Sequence, residues 1–277
     1  MDYKDISQVG HDVMLKDVRH FELGQILDCG QAFRWAKISD TVYKGVAYGR
    51  ILELEIDNNN LFLRNTDITE YETLWRNYFD LHSSYTELRQ HFSEDENMQK
   101  ALAFSPGLRL MRQEPWEMLI SFILSQNSNI PRIKKMIEAL CQSYGKQIAE
   151  GYYTFPTPGD ISTLAEGDLA HIKMGYRAPY ILDAARRVAS GALDLQKLLS
   201  QPTDVVRDAL IAVHGVGPKV ADCVLLFGFG RLECFPLDVW MKRVMATLYP
   251  DGLPALFTKS AGIAQQFLFH YARVHGL

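Results

Sequence analysis

The 277-residue chain reads as an α+β protein, with an antiparallel β domain at its N-terminus and an all-helical body after it. Three observations predict this. Apolar and polar residues alternate over residues 42–49, 51–56 and 61–64, the period of a half-buried strand. From Thr69 onward the apolar residues recur instead at i, i+3, i+4 and i+7, the period of an amphipathic helix. In the last third, two such helical patterns meet at a Gly-Val-Gly turn, Gly215 to Gly217.

The three alternating runs, with Asn58, Asn59 and Asn60 as a turn before the last, predict a β meander. Helices are expected over residues 69–80, 84–103, 114–126 and 130–144, the last with Pro131 in its first turn, where the missing N–H costs nothing. Shorter helices are expected over 161–173, 177–190 and 204–213, and two more beyond the turn, over 239–248 and 258–274. The expected division is a β domain with trailing helices over residues 1–107 and a helical body over 108–277, in which residues of about 204–229 form a helix-hairpin-helix.

Composition is that of a globular protein, 47% hydrophobic and 22% charged. The start, MDYKDISQVGHD, lacks the apolar core of a signal peptide, and no apolar run is long enough to span a bilayer. A monomer in the cytoplasm, associated with the nucleoid in a bacterial cell, is the expectation. The net charge of −4 argues against polyanion binding until its distribution is read: residues 1–100 carry 18 acidic and 11 basic side chains, residues 101–277 carry 15 and 18. The basic excess therefore lies in the half that holds the turn. Cys29, Cys141, Cys223 and Cys234 form no CxxC pair and no zinc-ribbon spacing, so disulfides and zinc are not expected.

Val206, Leu210 and Val213 approach the turn at helical spacing, and Val220, Cys223, Val224 and Phe227 leave it likewise. Gly215 and Gly217 permit a close backbone approach and positive φ, while Pro218 suits the first helical position. Such a turn presents backbone N–H groups, that of Val220 among them, at a helix N-terminus, where the macrodipole favours an anion. A nucleic-acid phosphate fits, and so does the plainer reading of a packing turn. Lys219 sits one residue inside the second helix, and Asp238 follows nineteen residues later, after Pro236 and at the head of another helical pattern.

This combination resembles the helix-hairpin-helix DNA glycosylases, and the segment Gly215–Cys223 (GVGPKVADC) looks like their lysine-bearing branch, the 8-oxoguanine DNA glycosylases. The blocks Cys29–Trp35 (CGQAFRW), residues 108–133, Met174–Tyr180 (MGYRAPY) and residues 264–272 resemble the same family, in its order. The resemblance implies an enzyme of base-excision repair that flips 8-oxoguanine from duplex DNA, excises it and then nicks the strand. Lys219 would attack C1′, which requires a neutral amine, and the positive end of a helix dipole works against an ammonium there. Asp238 would steady positive charge on the sugar while capping its helix.

The resemblance also implies a lesion pocket. The Gly30 carbonyl would accept the N7–H that 8-oxoguanine has and guanine lacks, Gln265 would bind the Watson–Crick edge, and Cys223 and Phe269 would cover the two faces. Asn127 would fill the gap left in the helix, Tyr176 would wedge into the stack, and Arg132 and Arg177 would read the orphaned cytosine. The family's hairpin also holds a cation through backbone carbonyls, here those of Ile211, Val213 and Val216. The four-cysteine loop that binds an iron–sulfur cluster in more distant relatives does not occur, so no cluster is expected. Two positions depart from the pattern: Ser128 stands where an asparagine is common, and Trp240 where eukaryotic members have a phosphate-contacting histidine. A glycosylase for another oxidised base, or a DNA-binding module using Lys219 only for phosphate, are the alternative readings.

Overall fold

A computed structural model describes residues 1–276. In chain order it contains β1 (Asp5–Val9), β2 (Asp12–Lys16), α1 (Leu23–Leu27), β3 (Trp35–Lys37), β4 (Val42–Ala47), β5 (Arg50–Asp57) and β6 (Asn60–Arg64). Short helices α2 (Ile68–Glu70) and α3 (Arg76–Tyr78) flank a π turn at Tyr71–Trp75, and α4 (Tyr85–Phe92) and α5 (Glu96–Phe104) follow. Next come α6 (Pro115–Ser125), α7 (Ile130–Tyr144), the hairpin of β7 (Gln147–Ala149) and β8 (Tyr152–Tyr153), α8 (Pro158–Ser162), α9 (Ala178–Ala189) and α10 (Leu195–Leu198). The chain ends with α11 (Thr203–Ile211), α12 (Pro218–Phe227), α13 (Val239–Leu248) and α14 (Ala261–His275).

Two compact units result. The first gathers residues 1–45, 52–112 and 232–277, the second residues 46–51 and 113–231. A linear boundary at residue 107 assigns 232–277 to the helical body, whereas in the structure that segment groups with the sheet, where α14 packs against both α5 and α13.

The first unit is built on a six-stranded sheet of order β1-β2-β6-β5-β4-β3, with its pairs antiparallel. Alternation places Val13, Leu15, Leu52, Leu54, Leu61 and Leu63 on one face, all fully buried. The aromatic side chains Trp35, Trp75, Tyr78 and Phe79 form a neighbouring cluster with ring separations of 4.8–6.3 Å. Three strands of the sheet, β1, β2 and β3, lie outside the alternating runs. β1 buries no residue fully and β3 is three residues long, so neither shows the repeated apolar period that marks a strand.

Arg109 locks this unit from within. It is buried, donates to the His20 and Asp80 carbonyls at 2.9 Å each, and pairs with the equally buried Asp2 carboxylate. Asp2 also accepts from the Tyr85 and Thr86 N–H groups and the Thr86 hydroxyl. Burial alone raises the carboxyl's pKa; the Thr86 hydroxyl, the backbone donors and Arg109 outweigh it and hold it below the usual value.

The expected helix over 84–103 is two helices. Asp95 leaves helical geometry and caps the second by accepting the Met98 N–H at 2.7 Å, a local bond that competes with continuation. The expected helix over 161–173 is likewise divided into α8 and a 3-10 segment, Glu166–Ile172. In the second unit α6 is buried from Pro115 to Leu124, the pattern of a central helix, and it packs on α12 with Phe122 and Phe227 stacked at 5.3 Å. Among the described residues no helix is long and apolar enough to cross a membrane.

Candidate functional site

The hairpin turn in the second unit joins α11 to α12. Val206, Leu210 and Val213 on one side and Val220, Cys223 and Val224 on the other are all buried, and Arg207 braces the pair through two bonds to Asp222 at 2.8 and 2.9 Å. The two glycines do different work. Gly215 has φ +81°, and a Cβ there would lie 2.2 Å from the Tyr180 ring, so only glycine fits on both counts. Gly217 is extended, at φ −98°, contrary to the positive φ expected of it; it serves as the N-cap of α12, and a Cβ there would meet no protein atom within 4 Å. Among the described residues no side chain caps α12, so the earliest N–H groups of its first turn, including that of Val220, have no side-chain acceptor.

Lys219 is half-buried in this first turn, its Nζ 5.5 Å from the centre of the Phe122 ring. Cys223 lies one turn further on and is buried. The carbonyl-bearing residues Ile211, Val213 and Val216 surround the turn, and the Val213 carbonyl accepts the Val216 N–H at 3.0 Å. The turn is held from behind by α9: the Asp183 carboxylate accepts the His214 N–H and the Arg187 side chain, both at 2.8 Å, and Tyr180 packs edge-on to His214. Sequence reasoning did not single out Tyr180, Asp183 or Phe122, since each matches an ordinary helix position.

The same unit carries the predicted wedge. Asn127 is exposed in a left-handed turn, φ +47°, between α6 and α7. Arg132, exposed in the first turn of α7, has its N–H capped by Asn129. Arg177 is buried, and its guanidinium is committed to carbonyls: Nε to Gln126 at 2.9 Å, Nη1 to Met174 at 2.9 Å, and Nη2 to Asn127 at 3.1 Å as well as Gln126. Tyr176, half exposed, donates to the same Gln126 carbonyl at 3.3 Å and stacks under the Arg177 guanidinium. A continuous path of contacts thus runs from Asn127 through Arg177, Tyr176 and Tyr180 to the hairpin. The Ser128 hydroxyl is buried there without a partner among the described residues.

In the first unit Asp238 caps α13, accepting the Met241 N–H at 2.8 Å, with Leu237 and Val239 exposed on either side. Trp240 lies beneath the Arg243 guanidinium, 5.2 Å from the ring centre. On α14, Gln265 and Phe269 are one turn apart and share a face. Gln265 is buried; its Nε2 lies 3.4 Å from the Pro236 carbonyl, and its Oε1 has no partner among the described residues. Phe269 is half-buried with Arg273 over its ring. Gly30 follows α1 with φ +96°, a backbone open to glycine and strained for any other residue.

Chemically, the second unit offers an amine beside the N–H groups of a helix N-terminus, and the first offers a carboxylate and a buried amide oxygen unpaired among the described residues. Among the described residues no three His, Cys, Asp or Glu side chains gather as a metal site.

Comparison with known proteins finds matches along most of the chain. Residues 13–119 match the model of the 8-oxoguanine DNA glycosylase N-terminal domain, and residues 120–252 that of the HhH-GPD superfamily of base excision DNA repair proteins. A probable N-glycosylase/DNA lyase of Methanothermobacter thermautotrophicus is 34% identical over 232 residues, 72% of each chain. The N-glycosylase/DNA lyase of Saccharomyces cerevisiae is 32% identical over 250 residues, 80% of this chain and 66% of that protein. The crystal structure of Clostridium acetobutylicum 8-oxoguanine glycosylase/lyase, in complex with double-stranded DNA containing cytosine opposite 8-oxoguanine, superimposes with a TM-score of 0.93 at 36% identity, covering both chains fully.

Proposed function

The chain belongs to the 8-oxoguanine DNA glycosylase family of the helix-hairpin-helix base-excision superfamily, and from that premise we propose that it excises 8-oxoguanine from duplex DNA through a Schiff base on Lys219 and then nicks the strand. The observation that carries this reading is the uncapped N-terminus of α12, which offers N–H groups to a phosphate and holds Lys219 within the same turn. The Lys219 amine attacks C1′; the glycosidic bond breaks with its electron pair leaving on the base, and ring opening yields the imine. Loss of a C2′ proton from that imine expels the 3′ phosphate. Asp238 opposes the positive charge that develops on the sugar, and its carboxylate is already oriented by the Met241 N–H.

Selectivity follows from the pocket groups. The unpaired Gln265 Oε1 is an acceptor suited to the N1–H and N2–H donors of a guanine edge, and the Gly30 carbonyl to the N7–H of its 8-oxo form. Phe269 and Cys223 supply apolar faces. Asn127 and Tyr176 take the place of the flipped nucleotide, and Arg132, exposed in the first turn of α7, is the reader of the orphaned cytosine. Arg177 enters that role only by leaving the carbonyls it now holds. The Ile211, Val213 and Val216 carbonyls suit a hard cation, and the second lone pair of the Val213 oxygen leaves room beside its bond to Val216. Such an ion would add positive charge next to a bound phosphate. The enzyme would act where the chromosome lies, in the cytoplasm or nucleoid.

Borohydride reduction on duplex containing 8-oxoguanine tests the reading. A covalent protein–DNA adduct is expected for the wild type and none for Lys219→Gln. Undiminished trapping by Lys219→Gln would move the nucleophile elsewhere, and no trapping by the wild type would leave a DNA-binding module.

A further inference from the structure

Gly30 is flanked by two side chains whose polar atoms are buried and bonded. Gln266, next to Gln265 on α14 and 3% exposed, donates Nε2 to Cys29 Sγ at 3.0 Å. Cys29 in turn donates its S–H to the Ile26 carbonyl at 3.4 Å. On the other flank Gln31 is fully buried; Nε2 donates to the Ile26 and Arg109 carbonyls at 2.9 and 2.8 Å, and Oε1 accepts the Met111 N–H at 2.9 Å. Burial pushes the Cys29 thiol up to about 11, so it keeps the proton with which it donates.

Two buried amides and a thiol are expensive residues for a core position that three apolar side chains could fill, because each polar atom must find a partner. What lies between them is a backbone at φ +96°. A carbonyl in that conformation has no regular secondary structure to hold its direction, and relaxing either neighbour re-aims it. An N–H···O bond weakens steeply as its angle closes, so a carbonyl used to recognise one N–H must be fixed in direction as well as place.

We propose that Gln266, acting through Cys29, is a positioning residue for lesion recognition, and that with Gln31 it aims the Gly30 carbonyl at the N7–H of 8-oxoguanine. The inference rests on the reading of Gly30 given above and extends it to residues that touch no base. It also assigns one turn of α14 two tasks: Gln265 and Phe269 meet the base, while Gln266 holds the loop that discriminates it.

The test separates base recognition from everything else the enzyme does. Gln266→Leu keeps an apolar side chain of similar bulk and removes the donor. Single-turnover excision of 8-oxoguanine opposite cytosine is expected to slow roughly three- to tenfold, the worth of one net hydrogen bond. Borohydride trapping at a preformed abasic site, which needs Lys219 but no base pocket, is expected to stay at the wild-type rate. Cys29→Ser, whose hydroxyl can accept from Gln266 and donate to Ile26, should retain excision, and Cys29→Val should slow it as Gln266→Leu does. Equal losses of excision and trapping in Gln266→Leu would reduce the network to general stability and overturn the proposal, as would unchanged excision in both Gln266→Leu and Cys29→Val. Wild-type enzyme that traps at abasic sites yet fails to prefer 8-oxoguanine over guanine would instead remove the role of Gly30 itself, and the proposal with it.

Discussion

The two hairpin glycines make a matched pair of perturbations. In Gly215→Ala the new methyl enters with φ at +81°, which costs an L-residue about 1–2 kcal/mol, and its Cβ falls 2.2–2.6 Å from three carbons of the Tyr180 ring. That ring is confined by His214 at 4.6 Å and Tyr176 at 6.0 Å, so relief requires moving packed neighbours, about 1–3 kcal/mol more. The sum, about 2–5 kcal/mol, should lower the melting temperature by roughly 5–15 °C. Gly217→Ala is opposite in every respect. Its extended backbone suits alanine and its Cβ meets no protein atom; exchanging glycine for alanine at an N-cap costs roughly 0.5–1 kcal/mol, and stiffening the unfolded chain returns about 0.4–1. Stability should therefore hardly change. If the turn binds phosphate through its N–H groups, however, that methyl stands where the phosphate must come, and losing one charge-assisted bond of about 1.5–3 kcal/mol weakens binding roughly tenfold or more. Thermal melting and fluorescence anisotropy on undamaged duplex read the two effects separately. Normal DNA affinity in Gly217→Ala would refute the phosphate reading, and an unchanged melting temperature in Gly215→Ala would refute the packing argument.

Asp238→Asn keeps a good N-cap for α13 while removing the charge, so excision should fall by orders of magnitude with little change in melting; parallel losses of both would make the residue structural. Arg132→Ala should narrow the preference for cytosine over adenine opposite the lesion by about 1–3 kcal/mol at constant stability, whereas Arg177→Met, which removes the guanidinium donors to three carbonyls, should lower stability as well; single-turnover rates on the two duplexes, paired with melting curves, distinguish them. Asp2→Asn leaves Arg109 buried without its counter-charge and should cost about 3–5 kcal/mol in urea unfolding at pH 7. Because the folded carboxyl titrates below the ordinary 3.8, its contribution is complete above that value and is lost as pH falls through the lower folded one; acid unfolding of the wild type should show that extra loss and Asp2→Asn should not.

What the sequence reveals here depends on whether a residue's task is written in a local pattern. β5 and β6 bury one face and leave the other partly open, and their alternation is visible; β1 lies at the sheet edge with little buried, so only its pairing with β2 reveals it. The hairpin was legible because helix, turn and lysine are contiguous. Yet the identical letters of Gly215 and Gly217 conceal a division of labour that depends on Tyr180, thirty-five residues earlier, and no spacing rule connects the two. Arg177 shows the same limit from the other side. Its position in the chain fits a base reader, but its burial and its three carbonyl partners are tertiary facts, and they make it the fastening of the Asn127 turn in the conformation described. Any contact it makes with an orphaned base must therefore compete with those bonds, and the turn that carries Asn127 is freed by the same motion. On the proposed roles, filling the gap and reading the base across it would be coupled through one guanidinium, whereas Arg132 would read without breaking any of these bonds.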